Sequence, residues 1–296
     1  MKMSIPKVCI ITGSSSGLGF LTAKKLVAKD FHVIFACRDE VKTMSLLQKM
    51  KEESGRSNFE FMELDLSSFD SIRRFVDDFH NKKLPLNLLI NNAGVHCKTF
   101  KKSNDGIEYS FAVNHLGHFL LTNLLLDDLK RSSPSRIVIV SSKLHNPNVR
   151  HGNPPNFKWN LDEINNEMEY DGMIAYKNSK LANVWFSYEL ARRLENTGID
   201  VIVICPGFVP TTGLHRDVNI FQRYFMYYIL SLFPFARTED FGSECEVFAA
   251  ISDTLNGKTG VFMSDMKETR SSEESYNVEK AKRLWDLSEQ WTHQNI

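Results

Sequence analysis

Tyr176 and Lys180, in the run Tyr176-Lys-Asn-Ser-Lys180, stand four residues apart. On a helix that spacing puts a phenol and an ammonium on one face. A free tyrosine titrates near pH 10, and a neighbouring cation stabilises its phenolate. A phenol tuned toward neutrality can give a proton to an oxygen or remove one. Ser142 ends the apolar, β-branched run Ser135-Arg-Ile-Val-Ile-Val-Ser-Ser142 and adds a hydroxyl able to hold that oxygen. The run reads as a buried strand, and open α/β sheets bind ligands beyond the carboxyl ends of their strands.

A Tyr–Lys pair at this spacing is more often structural, so its meaning depends on what must position it. Upstream, Lys7-Val-Cys-Ile-Ile-Thr12 reads as a strand that opens into Gly13-Ser-Ser-Ser-Gly17-Leu-Gly19. Leu18 to Lys29 then carries apolar residues at helical spacing. Strand, glycine turn and helix form the start of a dinucleotide fold, with free N–H groups facing a pyrophosphate. Gly13 suits a sharp turn, Gly17 a close backbone approach, and Gly19 the packing of helix on strand. Ser15, Ser16 and Leu18 belong to the same cradle. The next strand, His32 to Cys37, ends in Arg38, where an NAD site places a carboxylate for the ribose 2′-hydroxyl. A guanidinium pairs instead with a 2′-phosphate, and Ser15 and Ser16 add hydroxyl donors. The coenzyme expected is therefore NADPH/NADP+. The plainer role for Arg38 is a helix-start residue paired with Asp39 or Glu40.

These motifs, in this order and along nearly the whole chain, resemble the short-chain dehydrogenase/reductase family. The resemblance implies that Asp65 and Leu66, in Leu64-Asp-Leu66, lie against the adenine. It implies that Asn92, Ala93 and Gly94, in Asn91-Asn-Ala-Gly94, line the cofactor site. By the same resemblance Asn114 supports a proton-relay water, while Ser142, Tyr176 and Lys180 form the catalytic set. Tyr176 and Lys180 would also touch the coenzyme, and Pro206, Gly207 and Thr211 would contact the nicotinamide carboxamide.

Three details resemble the branch holding retinol dehydrogenases and light-dependent protochlorophyllide reductase. They are Ala36-Cys-Arg38, Asn114-His-Leu-Gly-His-Phe-Leu120 and Glu279-Lys-Ala-Lys-Arg-Leu-Trp-Asp-Leu-Ser-Glu289. Thr211-Thr-Gly-Leu-His-Arg216 resembles the latter enzyme closely, but Phe208 and Ala182 stand where it carries cysteines. Retinol dehydrogenases of this branch often carry an apolar N-terminal anchor; here the first strand begins almost at Met1, so none is expected.

The resemblance and the alternation of segments imply a single doubly wound Rossmann-type α/β domain over residues 1–296, with a mostly parallel seven-stranded sheet flanked by helices. The cofactor half spans about 1–140 and the catalytic and substrate half about 141–296. Further strands are expected at Phe59–Leu64, Leu86–Ile90 and Val201–Ile204. Helices are expected at Asp39–Ser54, Ser68–Lys82, Asp105–Arg131 (with breaks), Asp240–Ser252 and Val278–Trp291.

Lys plus Arg equals Asp plus Glu at 36 each, which gives no support for a nucleic-acid partner. The five cysteines form no C-x-x-C pair, a free-thiol pattern of a reducing compartment, and no secretory signal opens the chain. A cytoplasmic address follows. His115 and His118 lie at ligand spacing without a third partner, so no metal is expected.

Two segments should set the substrate. One is the long, turn-rich step from Ser142 to Tyr176, with Asn153-Pro-Pro-Asn156 and Trp159. The other is aromatic residues 218–235, inside a substrate lid of about 208–238 that includes Phe208. Residues 218–235 read as lid, as peripheral membrane contact, or as an interface. The function expected is hydride transfer to the carbonyl of an apolar aldehyde or ketone (retinal-, steroid- or lipid-like), with Tyr176 as the acid/base. The alternatives are a protochlorophyllide-reductase-like enzyme and a silent NADPH-binding sensor. A homodimer would pair, as many relatives do, through the helices bearing Asn114 and Tyr176.

Overall fold

The computed structural model describes residues 6–149, 161–209 and 237–293. Thr211 and the segments 153–159 and 218–235 lie outside them. Five strands are buried along almost their whole length: β1 (Val8–Thr12), β2 (His32–Cys37), β4 (Leu88–Asn91), β5 (Ser135–Val140) and β6 (Ile199–Cys205). Strands covered on both faces by crossover helices need side chains that suit burial everywhere, and these apolar, β-branched runs provide them. With β3 (Phe59–Glu63), β7 (Val261–Ser264) and β8 (Lys267–Glu268) they form one sheet of order β3-β2-β1-β4-β5-β6-β7-β8. All pairings are parallel except β7 with β8. The winding reverses between β1 and β4, which leaves a crevice at their carboxyl ends.

Among the described residues the expected seven strands become eight. The extra strand is a two-residue exposed arm, joined to β7 through Asp265 and Met266, both at positive φ. Two consecutive residues of that kind match the twist of a tight hairpin. Neither a polar two-residue strand nor an Asp-Met turn announces itself in a sequence.

Alternate residues of β1 feed two cores. Val8 and Ile10 face one, Cys9 and Ile11 the other. The second core is closed by α1 (Gly17–Ala28), α2 (Glu40–Ser54) and α8 (Glu239–Ile251). The first is closed by α3 (Phe69–Lys82), α5 (Gly117–Leu124), α7 (Gly172–Arg193) and α9 (Val278–His293). Asp39 and Ser68 stand just outside α2 and α3 as N-caps, accepting from the backbone N–H groups of Lys42 and Ser71. The span expected as one broken helix divides into α4 (Tyr109–Phe111), a π-turn (Ala112–Leu116), α5 and α6 (Leu126–Arg131). Among the described residues no helix is long and apolar enough to cross a membrane.

Helix α9 lies over α5 and α7. The Trp285 ring meets Phe119 at 4.9 Å and Phe186 at 5.8 Å, under the Arg193 guanidinium at 4.2 Å. Trp291 meets Phe111 edge-on at 5.7 Å. Pairing through this face of the helices bearing Asn114 and Tyr176 would have to displace α9. Trp285→Ala removes the ring at the centre of this contact and should cost about 3–5 kcal/mol. Urea denaturation followed by circular dichroism measures the loss; a change below about 1 kcal/mol would mean α9 does not belong to the cooperative core.

Candidate active site

The glycine loop takes the shape its sequence suggests. Gly13 and Gly17 have φ of +66° and +56°. A Cβ on Gly13 would stand 2.9 Å from Ala93, and one on Gly19 would stand 2.8 Å from the Gly13 carbonyl oxygen. Helices α2, α3, α7 and α8 are each capped by a side chain, from Asp39, Ser68, Asp171 and Thr238. The Ser16 side chain does not cap α1, and the first turn of α1 holds no acid. Among the described residues, backbone donors at Gly17, Leu18 and Gly19, with Ser15 before them, remain for an anion drawn to the helix terminus. These features fit the pyrophosphate of a dinucleotide.

Asn92, Ala93 and Gly94 follow β4 beside this loop. The N–H groups of Asn92 and Ala93 donate to Thr12 Oγ1 at 3.0 and 2.9 Å. Asn92 Nδ2 donates to the Thr12 carbonyl at 2.6 Å. Asp65 lies in the turn after β3, where its carboxylate accepts from the Ser67 N–H and hydroxyl at 2.9 and 2.7 Å. Leu66 closes that turn against Gly117, whose added Cβ would meet the Leu66 carbonyl oxygen at 2.5 Å. Arg38, at the end of β2, donates to the Tyr109 hydroxyl at 2.9 Å. Among the described residues it forms no ion pair with Asp39, Glu40 or any other carboxylate.

Ser142, Tyr176 and Lys180 meet at the carboxyl edge of β5. Ser142 lies close enough to the Tyr176 phenol to favour its ionised form, and its Oγ accepts the Leu144 N–H at 3.2 Å. Lys180 Nζ donates to the Val140 carbonyl at 3.1 Å and lies 5.7 Å from the Tyr176 ring centroid. A Cβ on Gly94 would stand 3.4 Å from that ammonium. Cys205, at the end of β6, is close enough to act electrostatically on both Tyr176 and Lys180. Pro206 and Gly207, at φ +88°, turn the chain away, and the Phe208 carbonyl accepts the Arg237 N–H at 2.8 Å. Asn114 lies in the π-turn. Its side chain clamps the Val95 backbone at 2.7 and 2.9 Å and donates to Ser179 Oγ at 2.9 Å.

Burial pushes Tyr176 above its usual range, opposed by Ser142, and burial pushes Lys180 down to about 8. The ammonium donates to the Val140 carbonyl and lies over the Tyr176 ring.

The two helix histidines point to separate partners. His115 Nε2 meets Ser288 Oγ at 3.0 Å, and His118 meets Thr12 and the Asn114 carbonyl. Among the described residues no group of His, Cys, Asp or Glu could hold a metal ion.

The family model for short chain dehydrogenases matches residues 7–153 and 163–221. The chain belongs to the short-chain dehydrogenase family. Human retinol dehydrogenase 14 is 38% identical over 96% of this chain and 85% of its own length. The pea chloroplast protochlorophyllide reductase is 39% identical over 95% and 76%. A crystal structure of a putative uncharacterized protein from Mycobacterium paratuberculosis superposes with a TM-score of 0.74 at 31% identity, covering 98% and 96%. Short-chain dehydrogenases use nicotinamide dinucleotides, the group the glycine cradle fits.

Three residues near this family's site escape sequence reading. His96 packs its ring edge-on against Tyr176 at 5.8 Å, signalled only by its closeness to Gly94 in the chain. Tyr109 has no motif around it. Glu246, on α8, is fully buried against α1, where Thr22 Oγ1 donates to its Oε2 at 2.7 Å. Its Oε1 has no hydrogen-bond partner among the described residues. Burial raises the Glu246 carboxyl from 4.5 to about 7, opposed by Thr22 and the charge of Lys180. A carboxyl whose folded pKa lies above its unfolded value adds stability below the unfolded pKa and loses it as pH rises through the folded one. Glu246→Gln should therefore match the parent near pH 4.5 and become the more stable by up to about 3 kcal/mol above pH 7. Urea denaturation from pH 4.5 to 8.5 checks this; a gap that does not change with pH would mean the carboxyl is not held protonated.

Proposed function

We propose that this protein is an NADPH-dependent reductase of apolar aldehydes or ketones of retinal-, steroid- or lipid-like character. The observation that carries the reading is the Tyr176 phenol beside Ser142, with the Lys180 ammonium near both its ring and the Gly94 turn. When bound, reduced coenzyme supplies the hydride. Ser142 Oγ holds the carbonyl oxygen and Tyr176 Oη delivers its proton. Lys180, anchored on Val140, grips the nicotinamide ribose and keeps a positive charge beside the phenol. Asn114 supports a water through which the proton is replaced. Asp65 and Leu66 flank the adenine, while Pro206, Gly207 and Thr211 hold the nicotinamide end.

Arg38 supports NADPH over NADH, because among the described residues it forms no ion pair and a 2′-phosphate would give it one. The names of the relatives support an apolar substrate, since retinol dehydrogenase takes its name from an apolar alcohol. Phe208 and the aromatic segment 218–235 then serve as substrate contacts. Five free cysteines support a cytoplasmic setting.

NADPH and NADH oxidation against a panel of aldehydes and ketones, in light and darkness, tests the reading. Turnover in the dark with NADPH and an apolar carbonyl is the expected result. Silence across the panel despite tight NADPH binding would favour a sensor, and turnover only in light a photoreductase. Tyr176→Phe should lower kcat by about 100-fold or more and leave the Kd for NADPH unchanged. Retained turnover would remove Tyr176 from the chemistry.

A further inference from the structure

Arg38 is exposed at the end of β2, yet its guanidinium has a specific place. NH1 donates to the hydroxyl of Tyr109, a residue 71 positions away and only 8% exposed. Tyr109 begins α4, and a small antiparallel turn fixes the chain before it. Its N–H donates to the Lys101 carbonyl at 2.8 Å, and Ser103 N–H donates to the Ile107 carbonyl at 2.7 Å. Lys102 and Glu108 form the bridge between the two arms. The turn sets Lys101 directly against Tyr109, and its ammonium lies over the Tyr109 ring, 4.1 Å from the centroid. One buried phenol thus gathers two cations from distant parts of the chain.

The chemistry of the acceptor matters. A carboxylate at Tyr109 would hold Arg38 equally well but would neutralise it. A phenol accepts one N–H and leaves the positive charge whole. Of the five guanidinium N–H donors, one is committed to Tyr109, and the others remain for a two-pronged grip on an anion. Asp39 is occupied as the N-cap of α2, donated to by the Lys42 N–H at 2.9 Å. Asp65, the other carboxylate acting on Arg38, accepts from Ser67. Two cations that form no ion pair among the described residues, beside a rigid ring, match a phosphomonoester, which carries close to two negative charges at neutral pH. A free hydroxyl could accept a hydrogen bond from them but has no charge to pair with theirs.

We infer that Tyr109 is a positioning residue for coenzyme choice: it aims Arg38 and seats Lys101 as a second cation for the adenosine 2′-phosphate of NADPH. The inference rests on the NADPH reading above and adds two residues to it.

Calorimetric titration of the full chain with adenosine 2′,5′-bisphosphate and with 5′-AMP isolates the 2′-phosphate, the one group in which they differ. The parent should bind the bisphosphate more tightly. Tyr109→Phe and Lys101→Gln should each cut that preference by about five- to tenfold, with 5′-AMP affinity unchanged. A parent that binds both ligands alike would overturn the NADPH reading, Arg38 included. A parent that discriminates, with both variants keeping the full preference, would overturn the roles of Tyr109 and Lys101 alone. An equal loss for both ligands in Tyr109→Phe would make Tyr109 a wall of the adenosine pocket and also overturn its role. Lys101 is exposed, so Lys101→Gln decides the matter if Tyr109→Phe fails to fold.

Discussion

The hydroxyl of Thr12, fully buried at the end of β1, ties the functional half of the molecule together. It accepts two backbone N–H groups, from Asn92 and Ala93, and it has one hydrogen to give. His118 Nε2, at 2.8 Å, is better placed to take it than the Ile90 carbonyl at 3.4 Å. The tautomer of His118 follows. Its Nδ1 lies 3.1 Å from the Asn114 carbonyl, which can only accept, so Nδ1 carries the hydrogen and Nε2 the lone pair. Burial holds this imidazole down to about 4, so it stays neutral and the arrangement persists at neutral pH. One hydroxyl and one imidazole thereby join the glycine loop, the Asn-Asn-Ala-Gly turn and the helix bearing Asn114. Loss of the hydroxyl would take the printed partner from the Ala93 N–H, in an interior that penalises an unpaired group by about 1–3 kcal/mol, while the Asn92 N–H keeps the Ile90 carbonyl at 3.1 Å.

Tyr176 and Lys180 sit on that frame under opposed constraints. Burial disfavours the charged form of both Tyr176 and Lys180, raising one and lowering the other. The protein meets part of the lysine's cost with the Val140 carbonyl, which also accepts from Asn183 Nδ2 at 3.3 Å. It meets part of the tyrosine's cost with Ser142. Ser141 Oγ donates to the Lys180 carbonyl at 2.8 Å, which binds α7 to the end of β5. The two serines of Ser141-Ser142 thus divide the work, one holding the helix and the other facing the phenol.

Period and spacing made most of the framework legible. Strand β2 runs from His32 to Cys37 as its sequence suggests, and the helix caps Asp39 and Ser68 fall at the limits their side chains indicate. Ser142, Tyr176 and Lys180 come together because each stands at an element end that a doubly wound sheet turns toward one crevice. What stayed hidden has no local signal. The contact of Arg38 with Tyr109 joins residues 71 apart, and that of Thr22 with Glu246 joins residues 224 apart. Both depend on how helices dock, and a polar residue on an amphipathic helix reads as solvated until its neighbour is known. The rise of the Tyr176 pKa was hidden for a related reason: spacing reveals a cation four residues away but not how deeply both groups are buried.

The π-turn shows how an irregular segment serves the site. Between Ala112 and Leu116 the hydrogen-bond step widens by one residue, so the Gly117 N–H reaches the Ala112 carbonyl. A regular helix would point Asn114 elsewhere; the wider turn lets its amide clamp the Val95 backbone and meet Ser179. Ser179 in turn donates to the Tyr176 carbonyl at 2.7 Å, which ties the turn to the helix of the phenol. The residues that follow then each have a role. Gly117 must lack a side chain because the Leu66 carbonyl passes against it. His118 reaches back one turn to the Asn114 carbonyl and across to Thr12. Phe119 faces the opposite way and receives Trp285. A run that reads as an ordinary apolar helix is a junction in which consecutive residues serve the Asp65-Leu66 turn, the glycine loop and the core, and the widened step lets one helix face all three.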